Sequence, residues 1–403
     1  MTGLCDSHLH IGSLERLDDL LGYIRLLRPV GLGLLSLPVV GTGAEGDEIV
    51  DFNPELLAAG AAVSHLDESP AALHLYGCLD NRGLLVEESN GGARSTGAPA
   101  APWNPEEQVR ALADAGFTGL KLWEGKPDLH AALGISLDDA RLVAACRLAG
   151  ELSMPAILHV ADPREFWATA GGPWSYVGKD VASFNTLQAE AEALVAAAPG
   201  TTFIFAHLGF LADDLTAASN LLSRHSNLHF DLAPGNYFYP ALARAADRYT
   251  PADSASYEAG REFFAAYSDR LLAGSDGFFL PQDLGSLAGT SLANNLERML
   301  RLVQFLNSPR PIASPYGLRG SPPMALGLDL AEDVCDRIFC TNFEMLPHRK
   351  KSATGDGPGR TGVDAEAAVA WLDTWGRDAD GRRAPVRQAR AEAARRVIEE
   401  AAG

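Results

Sequence analysis

Eight short runs of nearly continuous apolar residues recur along the chain: LCDSHLH (4–10), GLGLLSLPVV (31–40), ALHLYGCL (72–79), FTGLKLW (117–123), PAILHV (155–160), TTFIFAHL (201–208), NLHFDL (227–232) and RLLAGSD (270–276). They do not alternate apolar with polar, as a half-exposed strand would. That pattern predicts parallel strands buried on both faces. The stretches between them carry helical periodicity and helix ends. Asn53-Pro54 and Asn104-Pro105 each read as a capping residue before a proline at the first helical position. PEEQVRALADAG stops at Gly116, a C′ glycine by its position. Ser136 and Asp139 read as a capping box opening SLDDARLVAACRLAG, and NTLQAEAEALVAAAPG is a further helix closed by Pro-Gly. Strand and helix alternate eight times with no dinucleotide-binding glycine fingerprint, which predicts a closed (β/α)8 TIM barrel.

Three stretches fit no element. VEESNGGARSTGAPAAPW (86–103) and SPRPIASPYGLRGSPPMALG (308–327) read as long loops, and HRKKSATGDGPGRTG begins a polar linker over 348–363. Two helical patterns follow, DAEAAVAWLDTWG and APVRQARAEAARRVIEEAA. The expected organisation is a barrel over 1–347, the linker, and a C-terminal helical extension over 364–403.

Composition narrows the class. At 403 residues, 47% hydrophobic and 21% charged, the chain suits one large globular domain. The formal net charge of −19 disfavours nucleic acid and anionic membranes as partners and says little about substrate; a small-molecule substrate is expected. No apolar run reaches membrane-spanning length, and the N-terminus lacks the pattern of a signal peptide. The five cysteines are odd in number and have no C-x-x-C spacing, so reduced thiols and a cytoplasmic location are expected. Cys5, beside a histidine pair, reads as a small buried residue, with metal ligation as the alternative.

Residues capable of chemistry gather at the C-terminal ends of the expected strands, where this fold places its active-site mouth. They are His8 and His10 on the first strand, Lys121 on the fourth, His159 on the fifth, His207 on the sixth, and Ser275 and Asp276 on the eighth. Residues two apart on a strand share a face, so His8 and His10 can both aim inward, and paired imidazoles suit a borderline cation such as Zn2+. His159 and Asp276 can complete that set from across the barrel. Glu124, Lys126, Asp162, Arg164 and Trp167, in the segments after the fourth and fifth strands, are candidates for the substrate pocket or ordinary loop residues. Tyr237 and Phe278 are candidates for an apolar wall, and Asp231 for support of a ligand histidine.

The set D-x-H-x-H, GLKL, the histidine of PAILHV, AHLG and GSD resembles the amidohydrolase superfamily. More narrowly it resembles the amidohydrolase-2 group, which includes decarboxylases of the aminocarboxymuconate-semialdehyde type; CTNFEML is similar to that group's closing helix. The resemblance implies metal ligation by His8, His10, His159 and Asp276. It implies Asp276 as general base, and His207 as a group that polarises the substrate or binds metal. One ion, Zn2+ first, is expected rather than two. For Lys121 three roles stay open: a carbamate bridging two ions, a contact to a substrate carboxylate, or a lysine on a solvated face. The implied activity is metal-dependent hydrolysis of an amide, ester or lactone in a small, carboxylate-bearing molecule. A non-oxidative decarboxylase is the alternative, and a non-catalytic binding barrel the third reading. Dimers are common in the superfamily, so a homodimer is compatible with the resemblance.

Overall fold

A computed structural model describes residues 3–43, 46–82, 84, 103–171, 174–234, 254–281, 291–313, 324–349, 363–377 and 385–402. The barrel strands are β1 (Cys5–Ile11), β2 (Gly31–Leu35), β5 (Ala72–Gly77), β6 (Gly119–Gly125), β7 (Ala156–Val160), β8 (Phe203–Phe205), β9 (Leu228–Asp231), β10 (Leu271–Leu272) and β11 (Gly277–Phe279). All pair in parallel, in the order β10-β9-β8-β7-β6-β5-β2-β1-β11. β10 and β11 are the two halves of the eighth strand, parted at Ala273–Asp276. Across the break, Ser7 N donates to Ala273 O at 2.9 Å and Asp276 N to His8 O at 2.8 Å. The ring therefore closes as a TIM barrel.

Inside it, Cys5, Leu35, Tyr76, Ile157, Ile204 and Leu272 form a cluster of their own with Cys340, Phe343 and Leu346. The larger core lies between strands and helices. Cys5 packs its thiol 3.3 Å from Cys340 Sγ within this apolar cluster, as a small buried residue.

Four local expectations are corrected. The run GLGLLSLPVV is not one strand: β2 ends at Leu35, and β3 (Pro38–Gly43) pairs antiparallel with β4 (Gly46–Asp51) as a hairpin beyond the barrel. Within 308–327, read as loop, β12 (Pro311–Ala313) and β13 (Met324–Leu326) pair antiparallel. Asn53 does not cap its helix, which runs Asn53–Ser64. Its amide instead bridges to the backbone of Cys78, donating to O and accepting from N, both at 2.9 Å. Ser136 opens no capping box, because the helix Ala140–Glu151 is capped by Asp139, which accepts from Arg141 N at 2.8 Å. Asn104 does cap Pro105–Ala115, and Gly116 ends it at φ 102°.

The helix Asn53–Ser64 is apolar nearly all round and buried on nearly every residue. Such a helix needs cover on two sides. The barrel supplies one side, and the helices Ala365–Trp375 and Pro385–Ala402 supply the other. Residues 85–102, Tyr237 and 350–362 lie outside the described residues. Among the described residues no helix is long and apolar enough to cross a membrane.

Candidate metal centre

His8 and His10 lie on β1, buried, with Nε2 atoms 2.9 Å apart. Asp276 Oδ1 stands 3.8 Å from each. His8, His207 and Asp276 each offer a ligand atom, and these atoms lie within 4.8 Å of one another. The eighth strand breaks where it does because Asp276 takes a left-handed conformation, φ 50°. Asp6 braces that corner, accepting from Ser275 N at 2.9 Å, Ser275 Oγ at 2.7 Å and Tyr23 Oη at 2.8 Å. His207 sits in a left-handed turn running through Phe210, with φ of 54° to 60°. Such a turn costs about 1–2 kcal/mol per non-glycine residue and persists only when pinned. Asp231 pins it, accepting from His207 N at 2.8 Å, and Gln188 Nε2 donates to Gly209 O at 2.8 Å.

Proton positions follow from the partners. His8 Nδ1 lies 2.8 Å from Asp231 Oδ2, and His207 Nδ1 lies 3.0 Å from the carbonyl of Ala233. Both partners accept, so both Nδ1 atoms carry a hydrogen, and a neutral His8 then presents its lone pair at Nε2. Burial holds the imidazoles of His8 and His10 well below their ordinary pKa, with Lys121 or the neighbouring histidines adding to it, so both are neutral. Two neutral imidazoles with Nε2 atoms 2.9 Å apart beside a carboxylate are a donor set suited to a divalent cation. The residues present fit a metal.

Lys121 is 1% exposed, with Nζ 3.4 Å from His8 Nε2, so the solvated-face role falls. Burial lowers its pKa to about 8, against the pull of Asp231 and Asp276. Asp276 is pushed up by burial, while His207, Arg298 and Lys121 act the other way. Arg298, which the sequence reading missed, donates to the Asp276 carbonyl at 2.6 Å and to Oδ2 at 3.1 Å, leaving Oδ1 for the imidazoles. Its signal was an arginine at a core-facing position of the helix Leu292–Asn307.

His159 stands beside this set. Its ring is 5.5 Å from His207 and stacks at 5.0 Å on Trp123; Nε2 meets Asp162 Oδ1 at 3.1 Å, and Nδ1 is buried with no hydrogen-bond partner among the described residues. Burial lowers its pKa to about 3. Asp162 also accepts from Lys126 Nζ at 2.7 Å and from Tyr176. Although burial opposes it, the Lys126 charge and the His159 contact hold Asp162 well below the usual carboxylate range.

The other pocket candidates separate from this group. Glu124 is buried against Asn81, which donates to it at 2.7 Å. Arg164 lies over the Phe184 ring at 3.9 Å and faces Asp213, and Trp167 donates to Ala182 O at 3.1 Å. Phe278 stacks on His10, ring centres 4.9 Å apart, and joins Leu37, Phe52, Leu280 and Trp123 in an apolar cluster at the mouth.

No curated protein matches the sequence. Solved structures similar to the chain include a probable 2-pyrone-4,6-dicarboxylic acid hydrolase from Acinetobacter baumannii, at 11% identity and TM-score 0.44, covering 86% of this chain and 99% of that one. A 2,6-dihydroxybenzoate decarboxylase from Rhizobium aligns at 14% identity and TM-score 0.41, covering 86% and 99%. A 4-oxalomesaconate hydratase from Rhodopseudomonas palustris aligns at 14% and 0.36, covering 84% and 94%. The sequence model of the amidohydrolase family matches residues 50–342, well over half of the chain. The chain belongs to the amidohydrolase family.

Proposed function

We propose that the protein is a metal-dependent hydrolase acting on an amide, ester or lactone bond of a small, carboxylate-bearing molecule. One observation carries this reading: His8 Nε2, His10 Nε2 and Asp276 Oδ1 converge within 3.8 Å of one another, buried at the barrel mouth. His8, His10 and Asp276 would hold one ion, Zn2+ first. His207 would join through its free Nε2, and His159 through its bare Nδ1. An ion held there supplies Lewis acidity and makes hydroxide accessible near neutral pH. The protein's own groups do the rest. Asp276 Oδ1 takes the proton from the attacking water and returns it to the leaving group, with Arg298 fixing the other oxygen. Lys121 would meet a substrate carboxylate, its amine lying buried beside His8. The wall of Phe278 and Trp123 excludes bulk water, which strengthens these interactions.

Metal analysis of the purified protein, then a screen of small carboxylate-bearing amides, esters and lactones, tests the reading. About one equivalent of bound metal and hydrolytic turnover are expected. Asp276→Asn should keep the fold and the size of the side chain, and lose about 100-fold or more in kcat. Turnover near wild type in that variant would remove Asp276 as the base. Release of CO2 without hydrolysis would replace this reading with the decarboxylase.

A further inference from the structure

The helices Ala365–Trp375 and Pro385–Ala402 lie outside the family match over 50–342, and the reaction proposed above gives them no role. Their contact with the barrel is unusually charged for a buried seam. Arg390 forks onto Glu55, Nε to Oε1 and Nη2 to Oε2, both at 2.7 Å, and Nη2 also reaches Asp51 O at 2.6 Å. Trp375 Nε1 donates to both carboxylate oxygens of Asp51, at 3.2 and 3.1 Å. Arg387 covers the Trp375 ring at 4.1 Å. Asp51, Glu55, Trp375 and Arg387 are all buried.

Packing alone does not call for this. Apolar residues of the same volume serve a buried seam at least as well as ion pairs, and a two-pronged arginine fixes geometry rather than adding much stability. What it fixes is the corner Asp51–Glu55, and Phe52 lies within that corner. Arg390 stands 5.3 Å from the Phe52 ring, and Ser36 Oγ accepts from Phe52 N at 3.1 Å. Phe52 presses on Gly12, where an added Cβ would come within 2.8 Å of the ring. It belongs to the cluster whose Phe278 stacks on His10. An unbroken set of contacts thus runs from the C-terminal helices to a candidate metal ligand.

We propose that the C-terminal helical pair is part of the active-site wall, with Arg390 and Trp375 as positioning residues. They hold Phe52 so that it closes the apolar side of the mouth, which selects substrates with an apolar flank. This rests on the hydrolase reading only for the word substrate. The physical coupling stands apart from it.

Amide hydrogen exchange, which needs neither metal nor substrate, tests the coupling in Arg390→Met and Trp375→Phe. Exchange should speed up about tenfold over 51–56 and also over 9–13 and 277–280, with β5 unchanged. Faster exchange confined to 51–64 and 365–402 would make the extension a structural cover and overturn the proposal. On a substrate found by the screen, both variants and Phe52→Leu should raise KM roughly five- to tenfold with kcat kept within about twofold. Arg390→Met combined with Phe52→Leu should be no worse than Phe52→Leu alone, because the arginine acts through that ring. Additive effects, or a KM that stays put while Tm falls, refute positioning. Wild-type protein that binds no metal and turns nothing over would instead count against the hydrolase reading, and the exchange pattern would still decide the coupling.

Discussion

Asp231→Asn probes the logic of the metal centre at one atom. Asp231 is wholly buried and accepts three hydrogen bonds, from His8 Nδ1 at 2.8 Å, His207 N at 2.8 Å and Ala233 N at 3.0 Å. Asparagine keeps the shape. Its carbonyl can still accept from both backbone N–H groups, so the left-handed turn under His207 stays pinned. Its NH2 group, however, replaces the oxygen facing His8 Nδ1 and sets donor against donor. The conflict is relieved if His8 moves its hydrogen to Nε2, which withdraws that lone pair from the cation site. Losing such a carboxylate partner costs 10- to 100-fold in metal affinity, or about 1.4–2.7 kcal/mol. The assay is competition for Zn2+ against a chelator of known affinity, with circular dichroism to show that the fold is intact. Asp231→Ala is the control. It leaves two buried backbone N–H groups without an acceptor, at about 1–3 kcal/mol each, and so lowers stability as well as affinity. Asn binding Zn2+ as tightly as wild type would refute the tautomer argument, and with it His8 Nε2 as a ligand atom.

Two further predictions lie away from the metal. Burial, aided by Arg270 and opposed by Asp269, lowers the pKa of His229 to about 4. Its native state therefore binds fewer protons than the unfolded chain between pH 6.5 and 4, and stability falls as pH drops through that window, by up to ~3 kcal/mol. His229→Gln should remove this slope in urea titrations across pH 7 to 4, and an unchanged slope would clear His229 of it. Asn53→Asp discriminates a helix cap from a bridge: a cap tolerates the change, whereas the bridge loses its donor to Cys78 O and should cost about 1–3 kcal/mol in urea unfolding.

The barrel was legible because near-continuous apolar runs are local signals, and so was the crowding of His8, His10, His207 and Asp276 at strand ends. What stayed hidden depends on closure. Asp231 was legible as support for a ligand histidine, but not for which one: its bond to His8 joins residues 223 positions apart, and that neighbour relation exists only once the ring has formed. The hairpin of β3 and β4 was invisible because Leu37-Pro38-Val39-Val40 extends an apolar run without marking where pairing changes. Past Leu122 the register between β6 and β7 shifts. Beyond that shift, two-residue alternation no longer assigns faces, and it is Trp123 that meets His159 while Glu124 meets Asn81. Asn53 shows a local rule yielding to its surroundings. An amide buried beside the unpaired backbone of Cys78 gains two hydrogen bonds there, against the single one a cap offers. Arg298 is the converse case. On a helix face otherwise filled by Asn295, Met299, Leu302, Phe305 and Leu306, its buried charge is matched by Asp276 at the barrel's break. A charged residue on a core-facing helix position is thus a signal in its own right: it calls for a buried partner, and in a barrel of this kind the strand ends are where that partner is found.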